Sequence, residues 1–193
     1  MAADPAAQER VAAGVRRWQD DLNAALEPHL QAPLSWNEDQ EQSWSMDLPS
    51  VAHRALLLLA AHAQKTEHAW PDQVPPRVDT DPAFQEISAE NFARCHYPQV
   101  VIPRLWLPGD FALTMKHALP DGEEVVLGSL DGLQAQLRQL NQSTLQLGQQ
   151  ALSDGVEAGL AGGEFLDQAT YGLSLFTKAA EEALVRGVPV ALT

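Results

Sequence analysis

The chain has 193 residues, 45% of them apolar, and a formal net charge of −14 from 26 acidic and 12 basic side chains. That length suits a single domain with a sizeable core. Acid exceeds base in every part of the sequence, so the clustered Lys and Arg that nucleic acid or an anionic membrane would require are not expected.

One cysteine, Cys95, leaves no intramolecular disulfide and no cysteine zinc site, which fits a reducing cytoplasm. The opening MAADPAAQERVAAG lacks the basic and apolar regions of a secretory signal. The longest apolar run, Ala55–Ala61, is far shorter than the roughly 20 residues of a membrane span. A cytoplasmic protein with no membrane association is the expectation.

Helical periodicity opens the chain. Over 6–27, Val11, Val15, Trp18, Leu22 and Ala25 make one apolar stripe, with Asp4-Pro5 as its start signal. Residues 31–49 then read as a long polar loop that places Trp36 and Trp44 among acids and amides, where it would serve as a lid. Ser50 to about Gln64 predicts a helix that is apolar on all sides at Leu56–Leu59, the mark of a central core helix. Three prolines make 67–81 a connector, and Asp81-Pro82 starts a third helix running to about His96.

From Gln99 the period changes to two. The run QVVIPRLWL, then Phe111–Lys116, then Glu124–Gly128 after the turn Pro120-Asp121-Gly122, predicts a three-stranded antiparallel meander over about 99–128. Asp131 with Gln134 suggests the cap of a helix carrying Leu130, Leu133, Leu137 and Leu140 on one face. Four glycines within 153–163 mark a flexible joint. A last helix over about 164–186 aligns Phe165, Ala169, Leu173, Phe176 and Ala180, and Gly187 ends it. The resulting fold class is α+β, with about five helices packed on one face of a small antiparallel β-meander. The chain reads as a single domain over 1–193, with mobile loops at 31–49 and 148–163 and a short C-terminal tail at 188–193.

Chemistry-bearing motifs are sparse. None of the six histidines forms H-x-x-x-H or H-E-x-x-H, so no metal site and no cofactor are assigned. Cys95 and His96 are neighbours on a helix, and their side chains diverge by about 100°, so they form no dyad. Lys116 and His117 fall on opposite faces of a strand for the analogous reason. No residue set earns a catalytic role. The residues assigned to ligand or partner binding are Arg104, Trp106 and His117 on the sheet, with Trp36 and Trp44 in the loop.

These observations favour a non-enzymatic acidic protein-binding or regulatory protein that self-associates as a homodimer or takes a basic protein partner. The alternative is a small-molecule-binding protein or enzyme with a pocket between sheet and helices. A cavity of about 300 Å³ is what separates the two.

Overall fold

The computed structural model describes residues 5–36, 44–158 and 163–192. Among them are seven helices: α1 (Pro5–Leu26), α2 (Ser50–Gln64), α3 (Pro82–Ser88), α4 (Pro98–Val101), α5 (Leu130–Ser143), α6 (Gln149–Ala158) and α7 (Phe165–Arg186). Four strands, β1 (Leu105–Leu107), β2 (Met115–Ala118), β3 (Glu124–Ser129) and β4 (Val190–Ala191), form one sheet in the order β2-β3-β1-β4. The fold is α+β, with more helices than the five expected and a mixed sheet in place of the meander.

The meander fails at two points. Pro98 occupies the first turn of α4 and fixes a helical φ there, so Gln99–Val101 coil despite their β-branched residues. Only Leu105–Leu107 remains as β1. The hairpin of β2 and β3 does form, antiparallel, with His117 opposite Val125. The chain between β1 and β2 crosses the sheet, however, so β3 inserts between them and runs parallel to β1, with Trp106 opposite Gly128. Gly128 has to be a glycine at that point. A Cβ there would collide with Gln99 Oε1, Pro103 Cγ and Trp106 Cδ1.

Helices cover both faces of the sheet rather than one. On one side Trp106, 0% exposed, points into the main core built by α2, α5 and α7. On the other, Leu105, Leu107 and Leu127 meet Leu22 and Leu26 of α1, together with Leu34 and Phe111. The α1 stripe is therefore used at Trp18 and Leu22, with Leu26 buried in place of the exposed Ala25, and Val11 remains 66% exposed.

Within the main core the five aligned α7 residues, Phe165, Ala169, Leu173, Phe176 and Ala180, are each at most 4% exposed. Leu130, Leu133, Leu137 and Leu140 of α5 are at most 1% exposed. The cap of α5 is Ser129, whose Oγ accepts from the Gly132 N–H at 2.9 Å, and not Asp131. The helix expected over 81–96 stops at Ser88, where a 3₁₀ turn over Ala89–Phe92 and left-handed backbone at Asn91 and Phe92 break it. α6 occupies most of the glycine-marked stretch 148–163, and 159–162 lie outside the described residues. Residues 37–43 of the tryptophan loop lie outside them too.

α2 and α7 are in direct contact at Gly172, where an added Cβ would strike the Ala52 carbonyl oxygen and press on Leu56 Cβ. Replacing Gly172 with Ala is expected to destabilise the fold by about 1–3 kcal/mol, the usual effect of overpacking. Gly14, in α1, has open space around its Cβ position. Gly14→Ala should stabilise by up to about 1 kcal/mol through helix propensity alone. Urea unfolding of the two variants checks the contrast, and equal effects would show that the helices do not meet at Gly172.

Candidate ligand pocket

The C-terminal end of α7 and the tail that follows it enclose a recess of about 350 Å³. Gly187 adopts φ 64°, a left-handed C-cap that turns the chain back over the helix. Val190 and Ala191 then pair with Trp106 and Leu105 of β1, and the Leu192 N–H donates to the Arg104 carbonyl at 2.9 Å. The tail thus makes one wall. Leu175, Phe176, Ala179 and Ala183 of α7 make the floor, Leu133 of α5 joins them, and Trp44, Ser45, Met46 and Leu48 close the remaining side. Ala179 and Ala183 leave the space open because a methyl side chain does not reach across it. Among the described lining residues Ser45 carries the one hydroxyl, and nearly all the other side chains are hydrocarbon. Trp44 stands at the wall, 37% exposed.

Other recesses are larger but more polar. One of about 480 Å³ runs along Asn23, Glu27 and Gln31, and one of about 420 Å³ lies beside Asp72, Gln73 and Glu164. Burial of apolar ligand surface is best served by the α7 recess, whose size falls at the low end of the roughly 300–1,000 Å³ typical of ligand sites.

The five residues singled out in the sequence separate into two groups. Trp44 lines the recess, and the exposed Arg104 is hydrogen-bonded through its carbonyl to Leu192 of the recess wall. Trp106 lies behind the floor, its ring edge-on to Phe176 at 5.9 Å, and its Nε1 donates to the Gln99 carbonyl at 2.7 Å. It has no exposed surface to offer a ligand. Trp36 and His117 are on the opposite face of the sheet, around Trp18, with ring centroids 5.5 and 6.3 Å from it. Lys116 is exposed and His117 half-buried, in keeping with their alternation along β2.

Sequence reasoning did not single out Phe176, Ala179, Ala183 or His53 as site residues. The one available signal was the pair of alanines four apart on α7, and small residues on a helix are ordinary. His53 stacks on Phe176 with centroids 5.6 Å apart and planes inclined by 21°. Burial, followed by the charges of Arg104 and Arg54, holds the His53 pKa below its ordinary value of 6.5.

Three other polar groups lie elsewhere. Burial pushes the Cys95 thiol upward, the reverse of what an attacking thiolate needs. His62, 1% exposed, bonds Asp81 through Nε2 at 3.0 Å, while Asp81 caps α3 by accepting from the Phe84 N–H. Glu67, His68 and Glu86 are the group, among the described residues, whose donor atoms lie within 4.8 Å of one another and could hold a cation. Both Glu86 oxygens are already engaged, one by Lys65 Nζ and one by His68 Nε2, each at 2.8 Å.

Comparison of the chain with protein-family models, curated proteins and solved structures gives no significant match.

The lowered His53 pKa has a consequence for stability. As pH falls through 6.5, the unfolded chain takes up the proton before the folded chain does, so stability present above 6.5 is lost below it. His53→Phe keeps a ring against Phe176 and cannot titrate. Between about pH 7.5 and about pH 5.5 the wild type should lose more unfolding free energy than this variant, as measured by urea midpoints. Parallel losses in the two proteins would contradict the assignment.

Proposed function

We propose that this chain is a small-molecule-binding protein that takes an apolar ligand in the recess between α7, α5 and the β4 edge. A space of about 350 Å³ walled by hydrocarbon side chains is the observation that carries this reading. Filling it would remove ligand and protein apolar surface from water at about 25 cal/mol per Å². The alternative of a self-associating protein or one with a basic partner rests on the net acidity, the absence of catalytic spacing and the apolar helix stripes. Catalysis has less support than binding, because among the described residues the lining of the recess supplies one serine hydroxyl and no imidazole, thiol or carboxylate.

The neutral probe 1-naphthol suits the available volume. Calorimetry should show saturable binding of one probe per chain. Ala179→Phe places a ring in the recess and should weaken binding at least about tenfold, or 1.4 kcal/mol, with helical circular dichroism unchanged. Wild-type affinity in that variant would count against the recess as the site.

A further inference from the structure

Resting on the pocket reading, we infer that the ligand is an amphipathic anion: a carboxylate carrying a short apolar tail, with the tail in the α7 recess and the head at Arg104 on its rim. Arg104 is exposed, its carbonyl accepts from the N–H of Leu192 in the recess wall, and its charge acts on His53, which stacks on Phe176 of the floor. Among the described residues no carboxylate is ion-paired with Arg104 or Arg54.

The surroundings add two positive charges, and the acid nearest in sequence to the lining, the exposed Asp47 between Met46 and Leu48, pairs with neither arginine. His53 lies on Phe176, one wall of the recess, and both guanidinium groups act on it electrostatically. Arg54 is held near the first turn of α2 by bonds from Nε to the Pro75 carbonyl, 3.2 Å, and from an Nη to Ser50 Oγ, 3.3 Å. No side chain caps that turn, and the residues leading into it, Met46 and Leu48, line the recess. A guanidinium can meet a carboxylate with two parallel N–H donors, which favours this head group over a hydroxyl.

Tail length follows from volume. At about 30 Å³ per water-sized group in a liquid, 350 Å³ accommodates roughly a dozen such groups. Decanoate and decan-1-ol match this size and differ in the head.

The test is calorimetric titration of the full chain with decanoate, decan-1-ol and decylammonium. Decanoate should bind at least about tenfold tighter than decan-1-ol, and decylammonium should bind weakest. Arg104→Gln should remove the preference for decanoate while leaving decan-1-ol affinity unchanged. Raising the salt concentration on the wild type should narrow the same gap, because ions screen an exposed charge. Equal binding of decanoate and decan-1-ol would overturn the anion assignment while leaving an apolar site in place, and so would a preference that survives Arg104→Gln. Binding of none of the three would overturn the pocket reading and this inference together.

Discussion

The close crossing of α2 and α7 is the constraint from which the rest of the structure follows. Gly172 lets the α7 backbone rest against the Ala52 carbonyl, and the buried faces of α2, with Ala55, Leu56, Leu58 and Leu59 all at 0% exposure, fill the space around it. Two consequences reach the recess. The face of α7 that carries Gly172 continues through Phe176, Ala179 and Ala183, which with Leu175 form the floor. The first turn of α2 brings His53 over Phe176. A wider crossing would lose the stack and change the cavity together, because the same two helices set both.

A second constraint is polar. Gln99 is 1% exposed, and each of its hydrogen-bonding groups is engaged. Its N–H donates to Gln136 Oε1, its Nε2 to the Ala112 and Leu113 carbonyls, its Oε1 accepts from the Ser129 N–H, and its carbonyl accepts from Trp106 Nε1. An amide buried in this way is favourable only when fully satisfied. It joins α4, the β1–β2 crossing, the start of α5 and the central tryptophan. It also packs against Gly128, so the residue that replaces the expected strand with a helical turn helps to hold β3 in the middle of the sheet.

These two cases mark what the sequence made legible. The stripes of α5 and α7, the extent of α2 and the β2–β3 hairpin were readable because apolar spacing and turn chemistry are local. The place of β1 was not, since its partner is set by a crossing connection and by a glycine contact 22 residues away. Val100 and Val101 were misleading: their β-branched side chains suggest a strand, and Pro98 together with the Gln99 bonds decides for a helical turn. At the candidate site, tryptophan content pointed to Trp44 but equally to Trp36, which lies across the sheet. Trp106 combined an aromatic ring with a neighbouring arginine and turned out to be core. The recess itself is made by small residues and a returning tail, features whose meaning depends on what lies opposite them.

Methyl-resolved NMR during titration with decanoate tests the central claim, an apolar ligand seated in the α7 recess, most directly. The account predicts saturable shifts in the methyls of Leu48, Leu133, Leu175 and Val190, with those of Leu22 and Leu127 in the other core unmoved. Shifts confined to the α1 side of the sheet, or spread evenly over both cores, would contradict it.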